Sequence, residues 1–151
     1  MNYSNVSRVR TEAGFDGNDN VTDSYIQAYL DQATQVVNGY VWFRYVPSTF
    51  SLNFSGSQAE ATLKRCEELL AAGYLMRKEY PSEQSAEQNG KAKIDQAEAM
   101  LKSIKDGQIL LLDSTENIYP QQARNPSAGS AILNIPSEEE APRAFSTQDI
   151  Y

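Results

Sequence analysis

The stretch TDSYIQAYLDQATQVVNGYVWFRY, residues 22–45, decides the fold. Apolar or small residues recur at Ile26, Leu30, Ala33, Val37, Tyr40 and Val41, the spacing of one face of an α-helix. Thr22 offers a side-chain oxygen to the orphan N–H groups of a first turn, and Asp23 sets negative charge at the positive end of the helix dipole. The pattern predicts a helix over residues 23–44. At about 1.5 Å per residue it is roughly 33 Å long, nearly the width of a small domain.

On its C-terminal side, VPSTFSLNFSGSQ (46–58) breaks the period with Pro47, serines and Gly56. It reads as an irregular crossing or short hairpin carrying Phe50, Leu52 and Phe54. A second helix is predicted over 58–79, with Ala59, Leu63, Cys66, Leu70, Gly73 and Tyr74 on one face and Pro81 as its stop. A third period, Ile94, Ala97, Leu101 and Ile104, ends at Gly107, a natural C-terminal cap. QILLL (108–112) adds one short apolar segment, read either as a strand or as a piece lying across the helices. The fold class is therefore mainly α: a small antiparallel bundle of three to four helices over residues 22–112. Residues 1–21 read as an N-terminal extension, and residues 113–151 as a long extended C-terminal arm.

The arm is set apart by composition. Four of the six prolines, at 120, 126, 136 and 142, fall in it, and two arginines against six acidic residues leave it at −4. Such a segment cannot bury enough surface on its own to offset the entropy of ordering it. Yet Ile118, Tyr119, Ile132, Leu133, Ile135, Phe145, Ile150 and Tyr151 are too apolar for an idle linker. An arm ordered by a partner fits best, with SAILNIP (130–136) suited to adding a strand to a sheet edge. A tail folded back on its own bundle is the competing reading.

Bulk properties exclude several kinds of chemistry. The 151 residues suit one domain with appendages. A net charge of −7 disfavours phosphate-neutralising contact with nucleic acid. The chain has no histidine, which rules out Ser-His-Asp and Cys-His sites within it and argues against zinc. One cysteine, Cys66, allows no intrachain disulfide and reads as a buried structural thiol. No apolar run approaches the roughly 20 residues that span a bilayer, and the N-terminus lacks the pattern of a secretory signal. Cytosolic synthesis is the expectation, so the Asn-x-Ser/Thr sequences at Asn2, Asn5, Asn20 and Asn53 read as incidental. DGNDNV (16–21) fails as a calcium loop, because Val21 stands where the glycine is needed and Gln27 where the glutamate is. SAEQNGKA (85–92) fails as a phosphate loop at both Ser85 and Ala92. Glu67 with Glu68, and Glu138 to Glu140, read as solvated faces. No catalytic, cofactor-binding or metal-ligating residue is assigned, and no cofactor is expected.

What remains is a binding surface. In YVWFRY (40–45), the helical period turns Tyr40 and Phe43 towards the core and Trp42 and Tyr45 away from it. Trp42, Arg44 and Tyr45 are therefore candidate protein-interaction residues, as aromatic and arginine side chains dominate interface energetics. Ile132, Leu133, Ile135, Arg143, Phe145, Asp149, Ile150 and Tyr151 form the second set, on the arm.

Taken together, YIQAYLDQATQVVNGYVWFRY, LKRCEELLAAGYLMRKEY and KIDQAEAMLKSIKDGQILL resemble the head-tail connector, or adaptor, proteins of tailed double-stranded DNA bacteriophages. The residues that carry the resemblance are Ala33, Val37, Asn38, Gly39, Tyr40, Arg44 and Tyr45 in the first helix. Ala71, Tyr74, Leu75 and Met76 carry it in the second, and Ala97, Leu101, Ile104, Gly107 and Leu111 in the third. It covers roughly residues 6 to 112; many relatives end soon after the third helix, whereas this chain continues. The resemblance implies a non-enzymatic virion protein at the head-tail interface, assembled in the host cytoplasm. It also implies a homo-oligomeric ring, commonly dodecameric, that docks beneath the portal protein and receives a neck, stopper or tail-completion protein. DNA would pass through the lumen without specific binding. The alternative is a cytosolic protein-interaction module with a partner-binding C-terminal tail.

Overall fold

Three helices in this chain start where a side chain takes over an orphan backbone N–H. In the computed structural model, which describes residues 2–50, 52–80 and 84–122, the helices are α1 (Val6–Ala13), α2 (Asp23–Arg44), α3 (Gln58–Glu79) and α4 (Gln84–Asp106). Asn5 caps α1 by accepting from Arg8 N at 3.1 Å, and Thr22 caps α2 by accepting from Tyr25 N at 3.3 Å. At α3, Ser57 Oγ accepts from Glu60 N at 3.0 Å while the Glu60 carboxylate reaches back to Gly56 N at 2.6 Å. This exchange satisfies donors that would otherwise be stranded at the helix start. The mainly helical bundle is thus present, with α2 and α3 spanning the ranges expected from sequence.

Helices α2, α3 and α4 alternate in direction. Ala59 N, at the start of α3, donates to Leu112 O just beyond the end of α4. Midway along, the Thr34 hydroxyl of α2 donates to Glu67 of α3, and Gly73 of α3 meets Gly90 of α4. The shared core takes Ile26, Leu30, Ala33, Val37 and Val41 from α2, Leu63, Cys66, Leu70 and Leu75 from α3, and Ile94, Ala97, Leu101 and Ile104 from α4. Each large aliphatic side chain buried this way contributes about 1.5–3 kcal/mol.

Both expected domain boundaries move. Residues 1–21 are no separate extension, because Val9, Ala13, Phe15 and Val21 belong to the same buried cluster as the helices. The Phe15 ring stacks on Tyr80 with centroids 5.3 Å apart. Arg10 ties the turn between α1 and α2, donating to the carbonyls of Asn18 and Val21 and to Asp23. DGNDNV is thereby a turn stapled by a guanidinium.

At the other boundary, residues 113–122 are part of the bundle. Tyr119 N donates to Leu111 O and Val46 N to Pro120 O, each at 3.0 Å, and Tyr119 is only 3% exposed. The reversal that brings the chain back is a turn in which Asp113 Oδ1 accepts from Thr115 N and Asn117 N. QILLL is accordingly no strand but a segment lying against the helix ends, with Leu111 N donating to Tyr45 OH and Leu112 O accepting from Ala59 N. Among the described residues, the only β pairing is two isolated antiparallel bridges, Leu112 with Ile118 and Tyr45 with Gln121. The interaction candidates Ile132, Leu133, Ile135, Arg143, Phe145, Asp149, Ile150 and Tyr151, together with Glu138 to Glu140 and Pro81, lie outside the described residues.

Glu67 and Glu68 correct a third expectation, since both are buried rather than solvated. The N-terminal segment covers them. Glu67 accepts from Ser4 N and Thr34 Oγ1, while Glu68 accepts from Ser4 Oγ at 2.8 Å and pairs with Arg8 at 3.2 Å. With α1 unrecognised, that face of α3 had nothing to lie against.

Candidate functional site

Five large hydrophobic side chains are exposed among the described residues: Trp42, Phe43, Leu52, Leu110 and Ile118. All five lie at one end of the bundle, where α2 and α4 stop, α3 begins and the chain folds back through residues 108–122. The hydrogen bonds of that end hold them together. Gln122 Nε2 donates to Trp42 O at 2.7 Å, Tyr119 OH to Leu52 O at 2.9 Å, and Ser114 N to Asn53 O at 2.9 Å.

The three candidates from YVWFRY have separate fates. Trp42, at the last turn of α2, is 46% exposed, as the helical period requires. Tyr45 is fully buried and is not available to a partner. The period fails there because Tyr45 is the cap residue of α2, with extended backbone at φ −107° and ψ 157°. Its ring therefore turns inwards, edge-on to Phe50, and its hydroxyl accepts from Leu111 N at 3.0 Å.

Arg44 lies between these extremes, half-buried with its guanidinium laid over Gly107. Gly107 adopts φ +81°, a conformation that favours glycine, and a Cβ there would displace the end of the Arg44 side chain. A cation at this place complements the negative end of α4. The buried Arg44 Nε has no hydrogen-bond partner.

Phe43, expected at the core face, is instead 51% exposed, with Lys105 Nζ 4.7 Å from its ring centre. Tyr40 is partly buried against the core, as expected. Beside Phe43 runs a groove of about 390 Å³ lined by Tyr40, Asp95, Glu98, Lys102 and Lys105. Its charges are mixed, so it selects for no single ligand charge.

Chemistry-bearing groups elsewhere serve the fold. Burial pushes the Cys66 thiol up to about 12, so at neutral pH it carries no thiolate and packs as an apolar side chain. Glu12 receives hydrogen bonds from both Arg65 and Lys93. Among the described residues no group of three or more His, Cys, Asp and Glu could hold a metal ion, and no helix is long and apolar enough to cross a membrane. Sequence reasoning missed Phe43 and Leu110 as surface residues, whereas Ile118 was singled out as an apolar residue of the arm. Leu110 was hidden inside an unbroken apolar run, where no alternation marks which residues face out.

Comparison with family models, curated proteins and solved structures gives no match to this chain.

Proposed function

We propose that the protein is a head-tail connector of a tailed double-stranded DNA bacteriophage. It acts as a ring-forming subunit beneath the portal protein, joining the DNA-filled head to the neck or tail. The observation that carries the reading is the placement of Trp42, Phe43, Leu52, Leu110 and Ile118 at one end of the bundle. Large apolar side chains gathered at one end suit stacking of one layer on another. The motif resemblance over residues 6 to 112 supplies the identity of the layers. Work is done by association: subunits pack side by side through helix faces, and residues beyond 122 add further contacts, giving each subunit several simultaneous attachments. The net charge of −7 fits a channel that lets DNA slide past, because like charge repels the duplex.

Mixing the protein with purified portal and imaging by electron microscopy tests this directly. Stoichiometric rings seated on one face of the portal are expected. A complex formed with some other host or viral protein, with no ring on portal, would instead establish the cytosolic interaction module.

A further inference from the structure

We infer that the apolar end of the bundle is covered in the free subunit by this chain's own segment Ile132–Ile135. Three observations converge on that occupant. The last described residue, Gln122, is itself fastened to the patch, through Gln122 Nε2 to Trp42 O at 2.7 Å and Gln122 N to Arg44 O at 2.7 Å. The chain therefore leaves the bundle beside Trp42.

Ile132 follows ten residues later, and at about 3.3 Å per extended residue that tether reaches roughly 33 Å, ample to fold back over Trp42, Phe43 and Leu110. A tether of so few residues holds the segment near its site at an effective concentration in the millimolar range. Free copies rarely reach such concentrations. The second apolar set, from Phe145 to Tyr151, begins twenty-three residues after Gln122, and the longer loop costs more entropy to close.

The third observation is chemical fit. Ile132, Leu133 and Ile135 are the first large apolar residues after the described region, and they are bracketed by Asn134 and Pro136 rather than by charge. The surface they meet is apolar at Trp42, Phe43 and Leu110. The acidic run Glu138 to Glu140 follows the segment in sequence, and the groove that holds Lys102 and Lys105 also carries Asp95 and Glu98. Apolar contact, rather than charge, therefore carries the pairing. The cover occupies the surface used for stacking, so it must leave before any partner docks there. The inference concerns the isolated subunit and stands whether or not that partner is a portal.

Trp42 is the sole tryptophan and reports on the patch. Its emission and its quenching by acrylamide are measured in the full chain and in the variant Ile132→Asp, Leu133→Asp, Ile135→Asp, across a dilution series. The expected result is protected, blue-shifted emission in the full chain at every dilution, and a red shift with several-fold greater quenching in the variant. Far-UV circular dichroism checks the fold, and Ile132→Ser with Leu133→Ser replaces the aspartates if they disturb it. Identical quenching in both proteins would overturn the inference. Protection that fades on dilution would assign the cover to a second copy. Protection lost instead in Phe145→Asp with Ile150→Asp would assign it to the wrong segment.

Discussion

At the scale of single residues, the interior of this protein depends on a few polar atoms with obligatory partners. Tyr45 is the clearest, because its hydroxyl satisfies the buried backbone N–H of Leu111. Tyr45→Phe keeps the ring and strands that N–H, at an expected cost of about 1–3 kcal/mol. Urea denaturation measures it, and Trp42→Ala is the contrast, since truncating a half-exposed side chain shifts stability by less than about 1 kcal/mol. Equal losses in the two would show that Tyr45 is not anchored as described. Glu67 gives a pH signature. Burial pushes its carboxyl above the ordinary 4.5, outweighing hydrogen bonds from Thr34 and the backbone of Ser4 and Tyr3. The folded state then holds its proton longer than the unfolded state does, so this contribution is complete at low pH and is lost as pH rises from about 4.5 towards the raised value. Glu12 runs the opposite way. Burial works to raise its pKa, but hydrogen bonds from Arg65 and Lys93 prevail and the net shift is downwards. Its contribution holds above about 4.5 and is lost below. Glu67→Gln should therefore flatten the neutral limb of the stability profile, and Glu12→Gln the acid limb. Profiles parallel to wild type in both variants would sink the assignment.

At the scale of elements, α3 and α4 show what periodicity conveys and what it omits. The buried positions Ile94, Ala97, Leu101 and Ile104 were legible because a helix repeats its inward face every three or four residues. The start of α4 was not, since Gln84 to Lys93 carry few large apolar residues. That part of α4 is held by closeness of backbones instead. A Cβ on Gly73 would sit 2.7 Å from Gly90 O, and one on Gly90 would sit 2.9 Å from Gly73 O. Helix propensity alone favours alanine at each by about 1 kcal/mol. Here steric exclusion wins, as overpacking costs about 1–3 kcal/mol and the obstacle is backbone. Gly73→Ala and Gly90→Ala are expected to lower the melting temperature. Gly39→Ala in α2, where an added Cβ meets nothing within 4 Å, is expected to raise it. A rise in all three would mean that the two helices have room to part. The missed element, α1, has the same lesson in reverse. Its signals were the terminal residues Asn5 and Gly14, which cap it, and not a face, because it buries only Val9 and Ala13 of its own length.

At the scale of the whole molecule, the question is where the bundle ends. Composition placed the boundary at residue 113, because proline and acid accumulate from there. Composition averages over a segment, however, and cannot see that one buried side chain, Tyr119, anchors the first ten residues together with the backbone bonds around it. Its ring stacks on Phe50 at 4.6 Å, its hydroxyl bonds Leu52 O, and Val46 and Arg44 bond the strand-like stretch around it. Two truncations separate the readings. A chain ending at Leu112 loses Tyr119 and leaves Tyr45, Phe50 and Val46 uncovered, a loss comparable to deleting a core aromatic, about 3–5 kcal/mol or more. A chain ending at Gln122 keeps every one of these contacts and should retain the helicity and urea midpoint of the full protein to within about 1 kcal/mol. For the proposed connector, only the second truncation isolates the contribution of residues 123–151 to docking, since the first unsettles the fold as well. If the chain ending at Gln122 is folded yet no longer forms rings on portal, the residues beyond it are needed for assembly. If it still completes infectious particles, the bundle and its apolar end suffice, and the arm loses its assembly role.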